Sequence, residues 1–134
     1  MTYALIHCHS NRIIHRDIKA ENIMIGKDDE IKLIDFGLSY TKRAGVKVSE
    51  IAGTPFYMAP EILAGEYGFE VDYWSLGVLL YTMVSGYLPF YSESRTEVFE
   101  KIKRAEFHFE HKPFQRVSDE CKDLIKSLLV LDVK

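Results

Sequence analysis

The pattern of apolar and polar positions predicts a chain made mainly of helices, with one small hairpin. Residues 71–84 are apolar on nearly every side, which predicts a helix with no face toward water. The stretch is too short to cross a bilayer and carries Asp72 in its first turn, so a buried central helix is the favoured interpretation. Gly86 and Pro89 follow it and end the helix.

Other segments are predicted to be helical on either side of the central helix. Residues 3–9 resemble the end of a helix. Ser94 and Glu97 form an S-x-x-E capping box that predicts a helix running to about Arg104. A further helix is predicted to begin at Ser118, with acidic residues in its first turn. Its apolar stripe, in which the cysteine is expected to be a core residue, consists of Cys121, Leu124, Ile125, Leu128 and Leu129.

Two short apolar runs, 23–25 and 31–34, predict the strands of the hairpin, and the turn-rich segment 26–30 joins them. Residues 10–22 are polar and predicted to be extended. Residues 37–58 lack periodicity and predict a long loop, which in a compact domain is usually functional.

Composition limits the classes of function. The 134 residues fit one domain, and 17 Lys+Arg against 20 Asp+Glu give a net charge of −3. This balance offers no general electrostatic case for binding nucleic acid or a membrane. Cys8 and Cys121 form no CxxC motif, and no signal peptide is visible, so we expect a reducing, cytoplasmic setting.

Three short motifs carry the chemistry. They are His-Arg-Asp at 15–17 with Asn22 five residues after the Asp, Asp-Phe-Gly at 35–37, and Ala-Pro-Glu at 59–61. Each alone is a weak signal. All three in this order, with strand signals between the first two, make coincidence negligible.

Through these motifs the chain resembles the C-terminal lobe of the eukaryotic protein kinases. The resemblance covers essentially all 134 residues, and Lys19 is typical of the serine/threonine class. Residues 72–77 and 86–90 match further landmarks. The pattern over 109–132 is most similar to the calcium/calmodulin-dependent group, including the calcium-dependent kinases of plants and protists.

The resemblance implies one partial protein kinase domain over 1–134, mainly α with a small β-hairpin. Its parts would be a catalytic loop at 15–22, an activation segment at 35–61 and a helical subdomain at 62–134. The implied activity is transfer of the γ-phosphate of ATP to Ser or Thr hydroxyls of a protein or peptide. The implied cofactors are ATP and Mg²⁺.

The residue types suit phosphoryl transfer, which needs positioning and charge neutralisation more than covalent chemistry. If the hairpin forms, Asn22 and Asp35 become neighbours and offer the hard oxygen ligands that Mg²⁺ prefers. Asp17 is the expected acceptor of the substrate hydroxyl proton. Lys19, on the same side of an extended segment, would offset charge on the phosphate. The alternative for Asp17 and Lys19 is a surface ion pair.

The family pattern assigns supporting roles to other residues. His15 packs against Phe36 in the family, and no ligand spacing around this histidine fits a zinc site. Asp72 is expected to bind the backbone of the catalytic loop, since a buried carboxylate needs such partners. A column of apolar residues beneath the adenine would be extended by Met24, Leu79 and Met83.

Arg16 marks the kinase type in which a negative charge orders the activation loop. Glu50 stands where the family usually carries a phosphorylated residue, so we hypothesise a built-in substitute for phosphate. Ser49 is the rival, as a site of phosphorylation. The alternative is an exposed Glu50 without a fixed partner.

The resemblance also implies substrate contacts. Thr54 matches the family threonine that hydrogen-bonds Asp17 and Lys19. The pocket for the residue after the phosphoacceptor would be lined by Ile51, Pro55 and Met58, which predicts an apolar preference there. Glu21 matches a carboxylate that often binds a substrate Arg upstream of the acceptor.

No Gly-rich loop or strand lysine of an N-terminal lobe is present, and the chain stops short of the family arginine that pairs with Glu61. We therefore expect a truncated chain with negligible phosphotransfer on its own. A buried Glu61 without that partner is expected to cost several kcal/mol. The alternative function is an inactive, kinase-derived docking module that binds peptides or proteins through the surface near 94–116.

Overall fold

A computed structural model describes residues 1–131 and contains five α-helices and two small antiparallel sheets. The helices are α1 (Thr2–Ser10), α2 (Pro60–Ala64), α3 (Glu70–Ser85), α4 (Arg95–Lys103) and α5 (Asp119–Leu128). The strands are β1 (Ile13–Ile14), β2 (Ile23–Ile25), β3 (Ile31–Leu33) and β4 (Tyr40–Thr41). The predicted fold class is confirmed; the last three residues of the expected helical subdomain, 132–134, lie outside the described range.

The predicted hairpin is present as β2 and β3. Ile23 lies opposite Leu33, and Ile25 lies opposite Ile31. The N–H of Gly26 donates to the carbonyl of Glu30 at 2.7 Å and closes the link between the strands. Both ends of the hairpin are therefore held in register.

The second sheet was not predicted. Residues 13–14, expected only to be extended, pair with residues 40–41, expected to be part of a long loop. A further bridge joins Val48 to Tyr67. Strands of two residues lack a periodic signal of their own, which explains the omission. They tie the start of the catalytic loop to the segment after 35–37.

The central helix α3 extends one residue beyond the predicted range 71–84 at each end, and the prediction that it is buried on all faces is wrong. Val71, Val78 and Tyr81 are buried, whereas Met83 is 72% exposed. An apolar groove of about 450 Å³ runs along the uncovered face and is lined by residues of α1, the hairpin, α3 and α5. Within residues 1–131, no helix is long and apolar enough to cross a membrane.

The starts of α4 and α5 were predicted correctly, but the cap of α4 was not. Ser118 caps α5 by accepting a hydrogen bond from the N–H of Cys121. Ser94 stands at the N-cap of α4 without a side-chain cap, so the predicted capping box is wrong. Glu97 instead accepts a hydrogen bond from the hydroxyl of Ser92 at 2.6 Å. The hydroxyl of Ser92 also accepts the N–H of Ser94 at 3.2 Å, so it takes the place that Glu97 would have in the box.

The predicted stripe of α5 is only partly core. Ile125 and Leu129 are buried, Cys121 is half-buried, and Leu124 is 51% exposed at the edge of the apolar groove. The helix is amphipathic as expected, but its apolar face is wider than the surface of α3 that covers it.

Glu61, in the first turn of α2, is half-buried rather than fully buried. Burial raises the pKa of its carboxyl, and the charge of Glu70 adds to the increase. Within residues 1–131, no cation lies within ion-pair distance of it. Because the side chain keeps contact with water, its cost is smaller than the several kcal/mol expected for full burial.

Gly77→Ala is expected to destabilise the fold. A Cβ at Gly77 would lie 2.8 Å from the Cβ of Leu128 and 2.9 Å from a methyl carbon of Leu129. Overpacking of this kind costs about 1–3 kcal/mol, which exceeds the gain of about 1 kcal/mol in helix propensity. Thermal unfolding followed by circular dichroism should show a lower Tm.

Gly26→Ala is the matched control, because its Cβ would meet the Glu30 carbonyl at an ordinary 3.5 Å. An equal loss of Tm in both variants would contradict the tight α3–α5 contact.

Glu61→Gln is expected to raise the free energy of unfolding at pH 7 by less than about 1 kcal/mol. The folded-state pKa of Glu61 lies above its ordinary value of 4.5, so ionisation disfavours the folded state as pH rises through that range. The difference between the variant and the parent should therefore vanish below about pH 4. Exposed Glu93 provides the control substitution, Glu93→Gln. In urea titrations at several pH values, a gain that persists unchanged at low pH would contradict this account.

Candidate active site

The carboxylate of Asp72, which is 0% exposed, fixes the backbone of the catalytic loop. One oxygen accepts the N–H of His15 at 2.9 Å and the other accepts the N–H of Arg16 at 2.8 Å. The ring of His9 donates to the first oxygen at 2.8 Å. Each donor replaces a water that the buried charge has lost. Asp72 thereby joins α1, α3 and the loop at one point.

His15 is fully buried and connects the loop to the end of β3. Its Nδ1 accepts the N–H of Asp17 at 3.3 Å, and its Nε2 then donates to the carbonyl of Ile34 at 3.1 Å. The ring meets Phe36 edge-on at a centroid distance of 4.8 Å. Both ring nitrogens are occupied, so the histidine supports the loop and is not free to act as a base.

Asp17 makes more polar contacts than any other carboxylate of the site. Its Oδ1 accepts the hydroxyl of Thr54 at 2.6 Å and the N–H of the same residue at 3.1 Å. Its Oδ2 lies 2.8 Å from Nζ of Lys19 and accepts Nδ2 of Asn22 at 3.0 Å. Lys19 also donates to the Thr54 hydroxyl at 2.8 Å. Four donor groups from three residues therefore converge on one carboxylate.

These contacts decide the ionisation of Asp17. Burial raises the pKa of its carboxyl, but the hydrogen bonds from Lys19, Thr54 and Asn22 outweigh burial and hold the pKa below its ordinary value. The group is therefore an anion at neutral pH, and it would be protonated there only by a group that is losing its proton, such as a reacting hydroxyl.

The hairpin brings Asn22 and Asp35 to the same end of the sheet. The N–H of Ile34 donates to the carbonyl of Asn22 at 2.9 Å, so the pairing extends one residue beyond β2 and β3. Asp35 follows directly, in the left-handed conformation at φ 60°, and one of its oxygens accepts the N–H of Gly37 at 3.1 Å. The amide NH₂ of Asn22 is engaged by Asp17, which leaves its side-chain carbonyl oxygen as the donor atom toward a cation.

The buried guanidinium of Arg16 organises the activation segment. Its Nε donates to the carbonyl of Leu38 at 2.6 Å, and Nη1 donates to Oε2 of Glu50 at 2.9 Å. The side chain of Arg16 is 5% exposed, whereas that of Glu50 is 67% exposed. Ser49, the neighbouring candidate, is exposed. The charged pair thus spans the boundary between interior and solvent.

Tyr67 is a contributor to this arrangement that sequence reasoning missed. Its hydroxyl accepts from Nη1 of Arg16 at 3.0 Å and donates to the carbonyl of Glu50 at 2.6 Å. The Val48–Tyr67 bridge positions the ring. A lone tyrosine far along the chain gives no sequence signal for such a role. His9 was missed for the same reason.

Gly53 determines how closely the two segments approach. Its φ is +118°, and a Cβ at this position would lie 2.6 Å from the carbonyl oxygen of Arg16. Only glycine fits both the conformation and the space. The following residue, Thr54, is thereby brought to Asp17.

The expected substrate residues lie along one stretch but differ in exposure. Ile51 is 59% exposed, Pro55 is half-buried and Met58 is 4% exposed. Met58 therefore packs mainly into the core. Glu21 is exposed, and its charge contributes, after burial, to raising the pKa of Tyr57.

The apolar column expected beneath the adenine is only partly packed. Leu79 is 3% exposed, whereas Met24 is 55% exposed and Met83 is 72% exposed. Core packing therefore accounts for the position of Leu79 but not for those of the two methionines.

Comparisons with known proteins agree with this geometry. The family described as the protein kinase domain matches residues 1–134. Calcium-dependent protein kinase 16 of Oryza sativa subsp. japonica is 45% identical over an alignment of 130 positions, which covers 95% of this chain and 24% of that protein. Calcium-dependent protein kinase 32 of Arabidopsis thaliana is 44% identical over the same share of both chains.

A relative outside plants shows the same extent of similarity. The probable serine/threonine-protein kinase fhkE of Dictyostelium discoideum is 44% identical over an alignment of 138 positions, which covers 96% of this chain and 19% of that protein. The chain spans about a quarter of the length of the plant relatives it matches. With the motifs, the fold and these matches in agreement, the chain belongs to the protein kinase domain family.

Proposed function

We propose that this chain is the catalytic segment of a serine/threonine protein kinase, which transfers the γ-phosphate of ATP to a Ser or Thr hydroxyl. The convergence of Lys19, Asn22 and Thr54 on the ionised carboxylate of Asp17 is the observation that supports this best. An ordinary surface ion pair has no need of a buried aspartate held by an amide, a hydroxyl and a backbone N–H.

In the proposed reaction, Asp17 orients the substrate hydroxyl and accepts its proton. The hydroxyl oxygen forms a bond to the γ-phosphorus, and the bond from that phosphorus to the bridging oxygen of ADP breaks. Lys19, beside both Asp17 and Thr54, offsets charge on the transferred group. Because the pKa of Asp17 is lowered, the acceptor is ready in its basic form at neutral pH.

Asn22 and Asp35 suit a magnesium site, since they supply an amide carbonyl and a carboxylate at the same end of the hairpin. A Mg²⁺ ion held by these two residues would supply positive charge to neutralise the phosphates of ATP. Met24, at the exposed face of β2, would contact the adenine.

The proposed substrate is a protein or peptide. Ile51, Pro55 and Met58 would form an apolar site for the residue after the phosphoacceptor, and Ile51 is the member most available for contact. Exposed Glu21 would bind a basic residue upstream. The free state of Cys8 and Cys121 suits the reducing, cytoplasmic setting that we include in the proposal.

We also propose that Glu50 replaces a regulatory phosphate. Its carboxylate meets buried Arg16, and Tyr67 holds the Glu50 backbone against the same guanidinium. This support favours a fixed role over an unattached surface charge.

Asp17→Asn is expected to remove nearly all phosphotransfer. A suitable assay protein is a chimera in which residues 1–134 replace the matching segment of the rice calcium-dependent protein kinase 16. Loss of the proton acceptor should lower kcat by about 10²–10⁴-fold, measured as phosphate incorporated from ATP into a Ser peptide. The same assay is carried out with matched peptides that carry Thr or Tyr in place of the Ser.

The control is Asp123→Asn, at an exposed position of α5. A folded, active chimera whose turnover is unaffected by the Asp17→Asn substitution would contradict the proposal. A folded chimera without turnover would favour the docking-module alternative.

Glu50→Gln is expected to lower the activity of the same chimera several-fold, since Arg16 loses its anionic partner. Glu66→Gln removes an exposed carboxylate that pairs with Lys47 and serves as the control. Turnover that is unchanged in Glu50→Gln would reject the phosphate-substitute role, while leaving the role of Asp17 intact.

A further inference from the structure

A small basic pocket lies at the outer end of the β1–β4 pair. Its volume is about 220 Å³, and its lining consists of Arg12, Lys42, Arg43, Ala44, Gly45 and Phe69. Three of the six residues are cationic, on a chain whose net charge is −3. The proposed kinase chemistry uses none of them.

The cations of this basic pocket form no ion pair with the described part of the protein. Among residues 1–131, no carboxylate lies within ion-pair distance of Arg12, Lys42 or Arg43. The carboxylate of Glu70 lies near Lys42 but beyond ion-pair distance, and one of its oxygens accepts the N–H of Gly68 at 2.6 Å, so Glu70 offsets only part of the positive charge. In the same segment, Lys47 does have a partner, Glu66.

The backbone holds two of the cations together. The N–H of Lys42 donates to the carbonyl of Arg12 at 2.7 Å, next to the β1–β4 pair. The ammonium of Lys42 lies 5.1 Å from the centre of the Phe69 ring, which forms an apolar wall. Arg12 adopts φ 61°, a conformation that favours glycine. An arginine thus occupies a position where its backbone is strained.

We propose that the basic pocket binds a phosphate monoester carried by a phosphorylated Ser or Thr side chain of a peptide. A phosphate near −2 matches several cations, whereas a single carboxylate matches one. Guanidinium groups bind phosphate oxygens in pairs, and two arginines border the pocket. Free inorganic phosphate shares this chemistry, so the experiment separates the two sources.

The pocket adjoins the anchor of the catalytic loop. Phe69, its wall, lies 5.1 Å from the ring of His9, and His9 donates to Asp72. A ligand that orders Lys42 and Phe69 would therefore stabilise the side of α3 on which the loop depends. This site is independent of the proposed phosphotransfer and is testable whether or not that activity exists.

The test is isothermal titration of the 134-residue chain with a phosphoserine peptide and with the same peptide carrying Ser or Glu. Inorganic phosphate is the fourth probe. We expect saturable binding of the phosphopeptide, weaker binding of inorganic phosphate, and none of the Ser peptide. The assignment would be overturned if the Glu peptide bound as tightly as the phosphopeptide, or if inorganic phosphate bound more tightly than the phosphopeptide. Absence of saturable phosphopeptide binding would overturn the site itself.

The variants locate the binding. Arg12→Gln and Arg43→Gln should each weaken phosphopeptide binding about tenfold, the loss of one charge-assisted contact. Lys47→Gln makes the same charge change nearby, outside the pocket, and should leave the Kd unchanged. Equal weakening by all three would show general charge attraction and overturn the proposal.

Arg12→Gly separates binding from folding. Because glycine relieves the left-handed strain, this variant should keep the Tm of the parent while binding about tenfold more weakly. Unchanged binding in Arg12→Gly would overturn the role of Arg12.

Discussion

The bonds from three N–H groups to the buried carboxylate of Asp72 are the constraint on which the rest of the site depends. The backbone of a loop cannot hold a left-handed residue such as Arg16 in place unless something compensates the strain. The hydrogen bonds that the loop donates to the desolvated carboxylate of Asp72 supply that compensation. The charge is carried on the central helix of the molecule, so the loop inherits the rigidity of the core.

Two contacts then follow from this placement: one ion pair and one hydrogen bond. Because Arg16 is fixed, its side chain reaches the activation segment at Glu50, and because Asp17 is fixed, its carboxylate reaches Thr54. Gly53 makes both contacts possible by letting the two backbones approach. The activation segment is therefore fastened to the catalytic loop at two nearby points, one exposed and one interior.

The sequence predicted those parts that carry a local signal. The hairpin and, to within one residue, the bounds of α3 were visible in the periodicity, whereas the motifs of the site were identified through the resemblance to the protein kinases. The second sheet, Tyr67 and His9 were not, because each depends on contacts between segments more than 20 residues apart. The capping box at Ser94 failed for a different reason: a competing serine lay two residues upstream.

The prediction of complete burial for α3 failed because an apolar sequence shows only that a surface can be buried, not how much neighbouring structure is there to cover it. Met83 and Leu124 are as apolar as the residues of the core, yet both border the apolar groove. How far a helix is covered is a property of the whole assembly of elements.

The open groove has a consequence for motion. The hairpin of β2 and β3 is a ladder of three residue pairs with one face toward this open space, so its amide protons should exchange with deuterium well before those of α3. Asn22 and Asp35 stand at the base of that hairpin. The distance between these two proposed magnesium ligands is therefore set by a weakly protected element of the fold, and a partner that fills the groove would also restrict their relative motion.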